Sequence, residues 1–157
     1  MIVKQQYHYY LVAFFGIFLG SQITEGILLI PYWQSLEASD FYGYYGEFGP
    51  SIGRFYTVLT IIAALIPIFF SIYLYKSKSK GLFYSLISTV FALLFVACFY
   101  VYFKGVNESF YASDYTSAEL NQELIIWNRW HWSRVLLELI SLLFLIFAIN
   151  KDRRDIN

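Results

Sequence analysis

The sequence predicts an all-α integral membrane protein: a four-helix bundle with both termini cytoplasmic and two long aromatic-rich outer loops. Composition, the length of the apolar runs and the placement of charge each predict it. Of 157 residues, 59% are hydrophobic, 22% aromatic and only 14% charged, whereas a soluble domain carries about 25% charged residues. Four apolar runs, at about 9–30, 54–75, 82–103 and 129–149, each approach the roughly 20 residues a helix needs to cross ~30 Å of hydrocarbon. Lys4, the KSKSK stretch at 76–80 and KDRRD at 151–155 alternate with acidic segments. The positive-inside rule therefore puts both termini and the 76–80 link in the cytoplasm, and a bacterial inner membrane is expected.

The first run follows Lys4 but is too long for a signal peptide, and "QITEG" is a poor cleavage site, so it reads as an uncleaved helix. Residues 31–53, with Glu37, Asp40 and Glu47 and no lysine or arginine, form the first outer loop. Pro67 should bend the second helix, which neighbouring helices accommodate in a membrane. Helix 3 presents Ser85, Ser88, Thr89 and Ala92 on one face, small residues suited to close helix packing. The second outer loop, 104–128, holds a capped helix opening at Thr116 or Ser117. All of this belongs to one domain spanning 1–157.

Several function classes are excluded or disfavoured at once. A net charge of zero without a basic block leaves nucleic acid no electrostatic footprint. One cysteine, Cys98, allows no intrachain disulfide or CxxC motif. With only His8 and His131 besides, no metal site and no cofactor is expected. His8 reads as an interfacial residue and Cys98 as core. Asn107-Glu108-Ser109 is a glycosylation sequon, relevant only in a secretory pathway.

The polar residues inside the fourth helix are the informative ones. At 100° per residue, Trp127, His131, Arg134, Glu138 and Ser141 share one stripe, bordered by Trp130. Arg129 and Trp132 point the other way, as interface anchors. The first helix has Ser21, Gln22 and Glu25 on one stripe, with Glu25 roughly 7–8 Å inside its outer end. Arg54 opens the second helix at the same level. Glu25, Arg54, His131, Arg134 and Glu138 are thus expected to converge in the outer half of the bundle. Ionisable groups at that depth are costly and either pair or serve a site. Structural ion pairs, Arg54–Glu25 and Arg134–Glu138, are one reading, and a ligand or reaction site is the other.

The stretch "GIFLGSQITEGILLIPYWQSLEASDFYGYYGEFGPSIGRFYTVLT", through Pro31, Phe41, Ile52 and Arg54, resembles the first hairpin of a family of small four-helix membrane proteins. That family includes the anthrone oxygenases of aromatic polyketide pathways. The second hairpin is similar through Asn107, Trp127, Trp130 and Arg134, with His131 where asparagine is expected. The resemblance implies a four-helix fold and, for a few members, oxidation of an activated phenolic ring system by dioxygen without metal or flavin. On that reading His131 or Glu25 is the catalytic base. Arg54, Arg134, Glu138 and Gln22 bind the substrate, and Trp127 and Trp130 stack on its ring. The alternative is a non-catalytic membrane module that binds a lipid, a small amphiphile or a partner protein.

Overall fold

The computed structural model describes residues 2–156 and the side chains of residues 7–153. The charged side chains of Lys4, Arg154 and Asp155, which contribute to the expected orientation, lie outside the described ones. All regular structure among the described residues is helical. The chain runs α1 (Ile2–Thr24), a π-helical turn (Glu25–Leu29), α2 (Ile30–Ser35), α3 (Ala38–Lys76) and α4 (Leu82–Cys98). A second π-helical turn (Phe99–Phe103), α5 (Lys104–Ala112) and α6 (Ser117–Ile156) complete it. The π turns join their flanking helices, so the chain forms four rods long and apolar enough to cross a membrane: Tyr7–Ser35, Ala38–Lys76, Leu82–Ala112 and Ser117–Arg153.

The rods exceed the expected spans, and the two expected outer loops are mostly helix. Only Leu36–Glu37 and residues 113–116 interrupt the helices there. The cause is a second core. Phe41 and Tyr45, one turn apart on α3, stack with ring centroids 5.4 Å apart and pack on Trp33 and Phe110. Such an apolar stripe favours helix over loop. Thr116 and Glu119 close a capping box: the Thr116 amide donates to Glu119 Oε2 at 2.9 Å, and the Glu119 amide to Thr116 Oγ1 at 3.4 Å. The second rod has 39 residues, so it rises roughly 58 Å, well beyond a hydrocarbon layer of ~30 Å. Part of this rod must therefore extend beyond the hydrocarbon layer.

At the opposite end, His8, Asp152 and the 76–81 turn come together. His8 Nε2 lies 3.8 Å from Asp152 Oδ2, both nearly fully buried. His8, read from the sequence as an interfacial residue, turns its ring inward against Tyr7 and Phe70. Gly81 is needed in this corner, since a Cβ there would stand 2.6 Å from the Ala148 carbonyl oxygen. Along the rods, Ser88 Oγ donates to the Ser141 carbonyl at 2.8 Å and Ser141 Oγ returns to Ser88 O at 2.9 Å. Ser71 Oγ bonds Ser85 Oγ at 2.8 Å and Thr89 Oγ1 at 3.0 Å. These hydroxyls tie the third rod to its neighbours where lipid supplies no hydrophobic drive for association. Phe14, Phe69 and Phe147 point outward, as lipid-facing side chains should.

Candidate functional site: a charged cavity beneath the aromatic core

The predicted stripe on α6 exists. Trp127, His131, Glu138 and Ser141 are buried, and Arg134 is 12% exposed. Trp132 and Arg129 face outward. Opposite the stripe stands the first π turn. There Ile30 donates its amide to the Glu25 carbonyl, five residues back. Pro31, with no N–H to give, follows immediately, so the ordinary ladder is already interrupted. Gly26 allows the rods to meet: a Cβ would lie 2.7 Å from Trp132 Cζ2 and 3.1 Å from His131 Nε2. The turn thus sets Glu25 directly against α6.

Arg134 is the hub. Its Nη2 donates to Gln22 Oε1 and lies 3.6 Å from Glu25 Oε2, while its Nε is 3.7 Å from Glu138 Oε1. The guanidinium also covers the Phe103 ring at 4.6 Å. Phe103 closes the second π turn, so both π turns border this one arginine. Such turns recur at functional sites.

His131 is locked behind the arginine. Its Nε2 is 2.9 Å from the Gln22 carbonyl, and a carbonyl only accepts, so Nε2 carries the proton. Nδ1 is then bare and accepts from Arg134 Nη2 at 3.3 Å. The ring stacks on Trp127 with centroids 5.4 Å apart and planes 9° apart. Glu25 Oε2 is 3.7 Å from Nδ1, too far for a hydrogen bond. His131 therefore braces Arg134 and is buried away from the cavity wall.

A cavity of about 380 Å³ opens on the other side of Arg134, within the range of small-molecule sites. Glu25, Arg134, Trp127 and Asn107 form its polar wall. Tyr45, Gly49 and Tyr111 roof it, and Phe95 lies towards its apolar part. Asn107 Oδ1 accepts from Trp127 Nε1 at 3.3 Å, fixing the indole. Glu25 is 4% exposed, and its Oε2 has no hydrogen-bond partner among the described residues. The same holds for Gln22 Nε2 and both Glu138 oxygens. Buried polar atoms are rarely left this way. A larger apolar groove of about 550 Å³, between Tyr7 and Tyr73, has no charged lining group.

Five of the expected site residues do not line the cavity: Arg54 and Trp130 lie away from it, and His131, Gln22 and Glu138 pack around Arg134. Arg54 does not join the cluster: it is exposed, and its guanidinium contacts Ser51 Oγ at 3.4 Å on its own helix. The rotation that turns Tyr56 inward, to donate to Ser21 O at 3.2 Å, turns Arg54 out. Trp130 stacks on Tyr102 instead, 4.9 Å away and 6° from parallel. Gln22 and Glu138 brace Arg134 from behind and do not line the cavity. Tyr45 and Tyr111 were expected only as unspecified loop tyrosines stacking on the ligand, and Tyr56 and Phe103 went unrecognised from the sequence. Tyr45 had a signal, its four-residue spacing from Phe41, whereas Phe103 depends on a π turn that no sequence pattern marks. Comparison with protein-family models, curated proteins and solved structures gives no match to this chain.

Proposed function

We propose that this integral membrane protein takes a lipophilic hydroxyaromatic compound into the cavity and oxidises it with dioxygen. The observation that carries the reading is the Glu25 carboxyl, 4% exposed and part of the cavity wall beside Arg134 and a set of aromatic rings. A carboxylate oxygen in that position accepts a proton or hydrogen bond from a ring hydroxyl or activated ring carbon. Arg134 lies where it stabilises the anion that forms, in a site of low dielectric. Anionic ligands are disfavoured, because Glu25 and Glu138 outnumber the single guanidinium. The rings of Trp127, Phe103 and Tyr45 suit a flat aromatic head.

The reaction needs no oxidant besides dioxygen. An activated ring methylene gives a proton to Glu25, and the carbanion adds dioxygen. The peroxide regains the proton and loses water, leaving a ketone: CH2 and O2 become C=O and H2O. The resemblance to anthrone oxygenases supports this chemistry. The membrane is proposed to be a bacterial inner membrane, with the lysine-rich end cytoplasmic: Lys76, Lys78, Lys80, Lys151 and Arg153 all lie at that end.

The test uses purified protein and a dihydroxyanthrone, following oxygen uptake and quinone absorbance. Wild type should turn over, while Glu25→Gln should bind the compound and lose turnover by at least about a hundredfold, the lower range for a removed general base. Equal turnover by Glu25→Gln, or none by wild type, would reject the oxygenase. A second reading, uptake of a membrane amphiphile without chemistry, is favoured by the lipid-facing side chains on the cavity's lower wall. Tight binding without oxygen uptake would establish it.

A further inference from the structure

The cavity is bounded on one side by lipid-facing side chains. Its wall on the second rod runs from Gly49 to Leu65, roughly 24 Å of helix, longer than a three-ring aromatic head. Two clamps hold the second and third rods together. At the terminal end these are the Ser71–Ser85 and Ser71–Thr89 hydroxyl bonds, with Ser85 Oγ also donating to the Pro67 carbonyl at 3.4 Å. At the aromatic end, Tyr45 meets Tyr111 with ring centroids 4.8 Å apart, and the Tyr111 ring leaves no room for a Cβ on Gly49.

Between the clamps, the cavity wall is made of Ile61, Leu65, Leu93 and Tyr100, which are 53%, 39%, 52% and 71% exposed. In a membrane these side chains meet acyl chains. The cavity is therefore a slot with a polar blind end, at Glu25 and Arg134, and an apolar mouth between two helices. At about 380 Å³ it holds an aromatic head but not a head with a long chain.

We propose that the natural ligand is a hydroxyaromatic head carrying an alkyl or isoprenoid chain. Its head lies against Glu25 and Arg134, and its chain leaves between the second and third rods into the bilayer. The inference rests on the proposed reading of the cavity as a hydroxyaromatic site and adds the chain and its route. Inside a bilayer, lipid tails are as apolar as the slot. A chain that leaves through the mouth thus gains little and costs little, whereas a closed cavity excludes it.

The experiment uses the full chain in lipid nanodiscs and 5-alkylresorcinols bearing methyl, pentyl, undecyl or pentadecyl chains, compared at equal mole fraction in the lipid. All four should bind wild type within about threefold of one another. Ile61→Trp and Leu93→Trp replace lipid-facing side chains at the mouth, so they should fold. They should weaken the undecyl and pentadecyl compounds at least tenfold while sparing the methyl compound. A chain-end diazirine should label the segments around Ile61 and Leu93–Tyr100. Binding of the methyl compound with exclusion of the long chains, or labelling confined to other rods, would overturn this inference alone. Failure of every homologue, the methyl compound included, would overturn the reading of the cavity and this inference with it.

Discussion

Arg134 is the residue on which the site depends. It is the one cation among two buried carboxyls, a histidine and a glutamine amide. Breaking a buried pair by removing one partner costs about 3–5 kcal/mol, because the remaining charge is stranded. Arg134→Met should destabilise the protein by that amount in a detergent unfolding assay, and adding Glu138→Gln should recover part of it. Gly26 is the second critical residue. Gly26→Ala sets a methyl group 2.7 Å from the Trp132 ring, an overpacking that costs roughly 1–3 kcal/mol. Trp132 is half-exposed, so Trp132→Leu should rescue Gly26→Ala in the same assay. If it does not, the close approach of rods is not what Gly26 provides. His131→Asn tests the histidine's indirect role. Losing its bond to Arg134 should lower the thermal midpoint and weaken ligand binding together, whereas a direct base would lose turnover alone.

At the scale of elements, the two π turns and the serine contacts decide the geometry. The four helices were legible because long apolar runs leave a membrane chain few alternatives. The stripe of Trp127, His131, Arg134 and Glu138 was legible too, since helical periodicity fixes which side chains share a face. The extension of the rods into the expected loops was not, because it depends on Phe41, Tyr45 and Phe110 meeting rings from other segments. Arg54 was misplaced for a related reason: extending α3 back to Ala38 makes position 54 mid-helix, and only packing chooses its face. The π turns left no readable mark beyond Gly26 and Pro31. Ser113 ends α5 with φ of 58°, a left-handed conformation that disfavours side chains. Ser113→Gly should therefore leave the fold unchanged and raise stability by up to about 1 kcal/mol, measured by thermal unfolding.

The whole molecule consists of two differently stabilised halves. One half is held by close packing and serine hydroxyls, and the other by a core of aromatic rings. The charged cavity lies at their junction, where Arg134 touches Phe103 and Glu25 meets the π turn. The proposed orientation rests on the lysines, and single cysteines at Ser39, Ser79 and Ser113 in a Cys98→Ala background test it. In intact cells, an impermeant thiol reagent should label positions 39 and 113 and spare 79. Labelling at 79 would reverse the topology.

The central claim about binding is that the Glu25 carboxyl accepts a hydrogen bond from the ligand's ring hydroxyl, and one comparison tests it most directly. The affinity of 5-methylresorcinol and of its dimethyl ether is measured for wild type and for Glu25→Leu in nanodiscs. The ether keeps the ring and shape but donates nothing, so it leaves the carboxylate unpaired. Wild type should prefer the phenol by at least about tenfold, since a hydrogen bond to a charged group contributes about 1.5–3 kcal/mol. Glu25→Leu should lose that preference. Equal binding of phenol and ether by wild type would contradict the account.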